Sequence, residues 1–235
     1  HKGSDTSSAW FWEPVKLNKM AREYNPKMIM NPRSGWEGNF YCDEGSHEIT
    51  GKIIPVPWEK NMCVCSGCSW GWMADDPVSD FDWLIRMLVD VVTRDGNLLL
   101  NIGPDRDGHV RPDVAQRMRE IGAWLRENGE TVYKTRGGPI EPVDHVYGTT
   151  YRENYIYLHI TDREKFRHET LPAIPYTIKS CTCKGQPAAF TQSAEGIRIE
   201  LPENLPDEPD TIVYMELTEN VKPAERAEIH FTGKE

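Results

Sequence analysis

Nowhere in this 235-residue chain does an apolar run approach the roughly 18 residues that a membrane-crossing helix requires. Positive charge is also short: 27 Lys and Arg stand against 37 Asp and Glu, a formal net charge of −10. That balance opposes the phosphate neutralisation on which nucleic-acid binding depends, so nucleic acid is not an expected partner. The N-terminus lacks the basic and apolar blocks of a signal peptide. It also lacks an initiator Met, opening at His1-Lys2-Gly3 with a helical pattern close behind, and further chain upstream is therefore expected. Internal repeats and low-complexity segments are absent. Cysteine is sparse: six residues fall into Cys63-x-Cys65-x2-Cys68, the pair Cys181-x-Cys183 and a lone Cys42. Structural zinc sites usually need a second ligand pair, and neither a His nor another C-x2-C stands near the first cluster. Free thiols or a local disulfide are expected there, and no metal.

Tryptophan, by contrast, is plentiful. Of 8 residues, Trp36, Trp58, Trp70 and Trp72 sit beside Gly or charge rather than inside apolar runs. Flat aromatic faces of that kind suit sugar rings, and they serve equally as partly buried core.

The hydrophobic pattern changes character along the chain. From Pro14 to Tyr24 the residues Leu17, Met20, Ala21 and Tyr24 recur at helical spacing, and Pro26 stops the pattern. Met28-Ile29-Met30-Asn31 then reads as a short buried parallel strand. Ser79 and Asp82 suggest a capping box ahead of a helix carrying Leu84, Met87, Leu88, Val91 and Val92, which ends at Asp95-Gly96. The nearly continuous apolar run Asn97–Ile102 predicts a strand covered on both faces. A third helix begins at Pro112, shows Val114, Met118, Ile121 and Leu125 on one side, and closes at Asn128-Gly129. Helices alternating with continuous apolar strands imply parallel β/α construction, with too few strands to close a barrel. After Gly137-Gly138-Pro139 the runs at 155–160, 196–201 and 211–217 alternate and are separated by Pro, Gly and Asp turns, as in an antiparallel β-sandwich. The expected division is 1–138, α/β, and 139–235, all-β.

In a β/α barrel the chemistry sits at the C-terminal ends of strands and on the loops that follow. After the expected strand ending at Asn31 comes Arg33-Ser34-Gly35-Trp36-Glu37-Gly38-Asn39-Phe40-Tyr41-Cys42-Asp43-Glu44, read as a loop holding a cation, aromatics and carboxylates. Glycosidic cleavage needs two carboxyl groups, one to protonate the leaving oxygen and one to attack carbon or activate water.

At these residues the chain resembles the α-L-fucosidases, retaining enzymes of glycoside hydrolase family 29. The resemblance is carried by Asn31-Pro32-Arg33, the segment Gly38–Glu44, Pro57-Trp58-Glu59, Ser69-Trp70-Gly71-Trp72 and Gly96–Pro104, in that order, and it covers nearly the whole length. Asp107-Gly108 and Gly122-x-Trp124-Leu125 with Asn128-Gly129-Glu130 resemble the family's last barrel helix. The resemblance implies the C-terminal part of a catalytic (β/α) TIM-like barrel, missing its N-terminal half, followed by a β-sandwich. It implies that Arg33 holds the sugar, that Glu44 is the acid/base, and that Trp70 forms an apolar wall beside the fucose methyl group. Glu37 and Glu48 are runners-up to Glu44. Trp58 matches the family pattern either as a substrate contact or as a brace for the loop. Where many members carry Gly-Asp-Phe this chain has Gly38-Asn39-Phe40. The family's nucleophilic Asp is expected before residue 1, with Asp5 as the fallback. No cofactor is implied, the substrate is a fucosylated oligosaccharide or glycoconjugate, and a secreted, periplasmic or lysosomal setting would follow. Two other readings stay open: a carbohydrate-binding or scaffolding protein on a degenerate barrel, and a hydrolase of another deoxy or galacto-configured sugar.

Overall fold

A computed structural model of the chain describes residues 13–35, 38–44, 48–67 and 70–223. Asp5, Trp36, Glu37, Cys68 and Ser69 lie outside these residues.

The first region contains three helices and one parallel sheet. Helix α1 spans Pro14–Tyr24, as the apolar spacing predicts, with Pro in its first turn. Its apolar side is nevertheless open: Leu17, Met20 and Tyr24 are exposed, and the buried side chains are Pro14 and Asn18. Residues 28–31 form no strand, which corrects the sequence expectation. Met30 is instead pinned by Asn39, whose backbone N–H reaches the Met30 carbonyl at 2.7 Å and whose Oδ1 accepts the Met30 N–H at 2.9 Å. The same Oδ1 accepts from Arg22 at 3.0 Å, so the amide of the Gly-Asn-Phe segment ties helix α1 to the chain before Pro32.

The sheet runs β1 (Tyr41–Glu44), β2 (Trp58–Cys63) and β3 (Asn97–Asn101) in that order, all parallel. Side chains alternate between its faces. Trp58, Lys60 and Met62 of β2, with Leu98 and Leu100 of β3, point to one face and pack with α2 (Phe81–Thr93) and α3 (Pro112–Asn128). Leu84, Ile85, Val89 and Val91 of α2 are almost fully enclosed there, each worth about 1.5–3 kcal/mol of burial. The capping box ahead of α2 is not formed: Asp80 is the cap residue, without a side-chain cap bond, and Ser79 sits one position too early. The β3 expectation also needs correction, because only one face is covered and Leu99 is exposed on the other.

From Arg136 the chain is antiparallel. A six-stranded sheet is ordered β4 (Arg136–Gly137), β5 (Tyr147–Arg152), β6 (Tyr155–Ile160), β11 (Thr211–Leu217), β7 (Ile178–Cys183) and β8 (Gln186–Pro187). A short helix α4 (Arg163–Phe166) follows β6, and the hairpin β9 (Ala189–Ser193) to β10 (Gly196–Glu200) forms the second layer, extended by a bridge from Ile197 to Leu171. Between the layers lie Ile156, Leu158, Ile160, Val213, Met215, Leu217 and Ile197. The opposite face of the large sheet presents Tyr157 and Ile212 to the core of the first region, so this sheet is buried on both sides. The architecture is α/β followed by all-β. Among the described residues no helix is long and apolar enough to cross a membrane.

Candidate active site

The strand register decides which residues meet. Glu44 lies opposite Asn61, Asn61 opposite Leu99, and Cys63 opposite Asn101. Paired residues in neighbouring parallel strands point to one face, so Cys42, Glu44, Glu59, Asn61, Cys63, Asn97, Leu99 and Asn101 share the face turned away from the helices. Five of these eight, Glu44, Glu59, Asn61, Asn97 and Asn101, are amides or carboxylates, where a sheet built for stability alone would carry aliphatic side chains.

Glu44 is the last residue of β1, not a loop residue as its sequence neighbours suggest. The backbone thereby fixes its direction. Arg33 sits in a one-turn 3-10 helix, Pro32–Ser34, capped by Asn31, whose side chain accepts the Arg33 N–H at 3.1 Å. From that turn the Arg33 guanidinium donates to the Glu44 carboxylate in a direct ion pair. The pair holds the guanidinium above its ordinary range. Cys42, two residues before Glu44 on the same face, is pushed up by burial, against the opposing pull of Arg33. Behind the sheet, Asp43 points the other way and accepts from the wholly buried Lys60 at 2.8 Å. The two successive carboxylates of β1 are therefore separated by the sheet itself, one serving the core and one the open face.

Trp70 reaches the same sheet edge by a different route. Its carbonyl accepts from Asn101 Nδ2 at 3.1 Å, at the end of β3. Gly103 lets the following turn approach closely: a Cβ there would lie 2.5 Å from the Gly71 carbonyl oxygen. The indole of Trp70 stays 42% exposed, open to a ligand. Trp58 does not join this group. It is 1% exposed, its indole N–H donates to the Arg94 carbonyl at 2.9 Å, and its ring lies where a Cβ on Gly96 would be 2.4 Å away. No face of that ring is left for a sugar, so the substrate-contact reading of Trp58 is corrected to bracing of β2. Glu48 is likewise committed, to His145 Nε2 at 2.7 Å.

Asn61 was not singled out in the sequence. Its Oδ1 is enclosed and has no hydrogen-bond partner, directly beside Glu44 in the register. Only strand pairing makes it visible, because Asn61 lies 17 positions from Glu44 in a segment without a recognisable motif. For metals, Asp105, Asp107 and His109 bring ligand atoms within 4.8 Å of one another. Asp105 Oδ1 already accepts the N–H groups of His109 and Asp107, which hold that carboxyl below its usual range. Cys42, Cys63, Cys65, Cys181 and Cys183 are all free thiols. A cleft of about 760 Å³ opens where α2 meets the β region, lined by Arg86, Asp90, His145, Arg163 and Glu208 among others. No Trp, Tyr or Phe on which a sugar could stack lines it among the described residues, and it shares no residue with the Glu44 face.

Comparison with known proteins identifies the family and the fold. The family model described as Alpha-L-fucosidase matches residues 2–130. A plasma alpha-L-fucosidase of Pongo abelii is 30% identical over 194 residues, which are 75% of this chain and 41% of that protein. Alpha-L-fucosidase isoenzyme 1 from Paenibacillus thiaminolyticus superposes with a TM-score of 0.74 at 23% identity, over 88% of this chain and 54% of its own. A glycoside hydrolase family 29 alpha-L-fucosidase from Bacteroides thetaiotaomicron, a trapped covalent intermediate in complex with 2-fluoro-fucosyl fluoride, superposes with a TM-score of 0.76 at 18% identity, over 90% of this chain and 53% of its own. The chain thus spans about two-fifths of the curated relative and about half of these solved structures. With its family model covering more than half of the sequence, the chain belongs to the alpha-L-fucosidase family.

Proposed function

We propose that this chain is the C-terminal portion of a retaining exo-α-L-fucosidase. Residues 1–138 supply the last strands of a (β/α) TIM-like barrel and 139–235 a β-sandwich packed against it. The observation that carries the reading is the Arg33–Glu44 pair at the C-terminal end of a parallel strand, the position at which barrel enzymes hold their chemistry. Exposed Leu99 on the open face of the sheet and exposed Leu17 and Met20 on α1 support further barrel elements covering each of them. The nucleophilic Asp belongs to those strands, with Asp5 the fallback within this sequence.

In the first step a carboxylate attacks the anomeric carbon while Glu44, as the acid, gives its proton to the leaving oxygen. A fucosyl ester and a free alcohol result. In the second step the Glu44 carboxylate takes a proton from water as that water attacks the same carbon, releasing fucose and restoring the acid. For the first step the guanidinium turns from Glu44 to the incoming sugar, and Glu44 takes the proton that it then gives to the leaving oxygen from solvent. Arg33 then has two successive partners, and substrate binding frees the acid. Trp70 supplies the apolar wall for the methyl group of the deoxysugar.

The complete polypeptide should hydrolyse an aryl α-L-fucoside much faster than an aryl galactoside, with α-fucose as the first-formed anomer by NMR. Absence of fucoside hydrolysis, or β-fucose appearing first, would refute the reading.

A further inference from the structure

Parallel strands β1 and β2 must be joined by a crossover, which in β/α proteins is ordinarily a helix that satisfies its own backbone groups. Residues 48–57 of this crossover contain no helix. Their N–H and C=O groups need partners, and those partners come from elsewhere in the chain. Asp144 Oδ1 accepts the Gly51 N–H at 2.8 Å, and Glu141 Oε2 accepts the Ile53 N–H at 2.9 Å. The Gly51 carbonyl accepts from Arg94 Nε at 3.0 Å, and Arg94 in turn bonds Asp144 at 2.7 Å. His145, held in the left-handed region at φ 58°, closes on Glu48 at 2.7 Å. Glu141, Asp144 and His145 all belong to the turn between β4 and β5, the opening of the β region.

Resting on the fucosidase reading above, we propose that this 141–145 turn is a positioning element for the active site. Through Asp144, Glu141 and His145 it sets where residues 48–53 lie. The group that protonates the leaving oxygen stands beside the leaving group, so these residues, four to nine positions beyond Glu44 in the chain, bear on the part of the substrate that departs. The β region therefore tunes selectivity for the leaving group, although none of its residues touches the reacting atoms. Its two carboxylates and its imidazole converge on the helix-free residues 48–53 of the crossover that follows the acid, and Asp144 also ties them to Arg94 at the end of α2.

The test uses the complete polypeptide carrying Asp144→Ala, and the double variant Glu141→Ala/His145→Ala, whose residues are all exposed, in case loss of the Arg94 partner prevents folding. Each is assayed on a fucosyl disaccharide and on an aryl fucoside with a good leaving group. The disaccharide kcat/KM should fall roughly ten-fold, mainly through KM, while the aryl fucoside changes by less than about two-fold. Glu141→Gln, which keeps the acceptor, should behave as wild type. Amide exchange across residues 48–54 should accelerate roughly ten-fold in the variants, with the β strands unaffected. Equal loss on both substrates, no loss on either, or unchanged exchange at 48–54 would overturn the proposal. A wild-type polypeptide inactive on both substrates would instead remove the fucosidase reading beneath it. The exchange measurement would still report whether the turn holds the crossover.

Discussion

The parallel sheet of the first region and the six-stranded sheet of the second treat their faces oppositely. The large sheet is covered on both sides, and it holds a hydrogen-bonded polar chain in its interior. Thr150, His159 and Asp210 are enclosed, with His159 Nδ1 at 2.7 Å from Asp210 and Nε2 at 3.3 Å from Thr150. The parallel sheet encloses one face with α2 and α3 and leaves the other lined by Glu44, Asn61, Asn97 and Asn101, with Leu99 exposed among them. Such a face contributes little to stability. A protein whose α/β core is closed by Trp58, Leu84 and Ile85 can retain it where the polar groups serve chemistry.

The contrast can be broken most sharply at Glu44. On a natural fucosylated glycan Glu44→Ala should slow turnover by about 10²- to 10⁴-fold, with far less loss on an activated aryl fucoside, whose leaving group needs little protonation. Melting temperature should barely move. If the variant kept full activity on natural glycans, the open face would lose its acid.

Thiol chemistry tests the same contrast without substrate. Burial pushes the Cys181 thiol in the β region up to about 12. Since the thiolate is the reactive form, this thiol has roughly a thousandth of the thiolate of an open one at pH 8. Cys42, half-buried on the open face of the parallel sheet, should be labelled well before Cys181 by a disulfide reagent in the folded protein, and both rates should rise with pH. Peptide mapping in which Cys181 reacts as fast as Cys42 would show that the β region is not closed.

A smaller effect is expected at the buried polar cluster. His159→Ala strands Asp210 without its partner and should cost about 3–5 kcal/mol of stability while leaving the assembled site's chemistry alone. Urea unfolding measures it, and a loss below 1 kcal/mol would mean the pair is dispensable. Smallest is Trp58→Phe. Losing the indole bond to the Arg94 carbonyl should cost about 1 kcal/mol with KM unchanged. A raised KM with intact stability would return Trp58 to the substrate.

Much of the frame is legible in the sequence. The limits of α1, α2 and α3 follow from apolar spacing and Pro or Gly signals, and β6, β10 and β11 from alternation. The candidate site is less legible, for a physical reason. A strand that turns a thiol and a carboxylate toward the open face and a salt bridge toward the core, as Tyr41–Glu44 does, carries no apolar signature and reads as loop. Met28–Asn31 shows the reverse, an apolar run that pairs with Asn39 instead of joining the sheet. Glu44, Arg33 and Trp70 come from motifs, whereas Asn61 and the 141–145 turn depend on long-range pairing that local sequence does not encode.

The most direct measurement is the product formed by Glu44→Ala with an aryl α-L-fucoside in azide. If Glu44 is the acid/base, azide enters the emptied space and attacks the fucosyl-enzyme, giving α-L-fucosyl azide with faster turnover. β-L-fucosyl azide would make Glu44 the nucleophile, and the absence of any azide product or rescue would place it outside the reaction altogether.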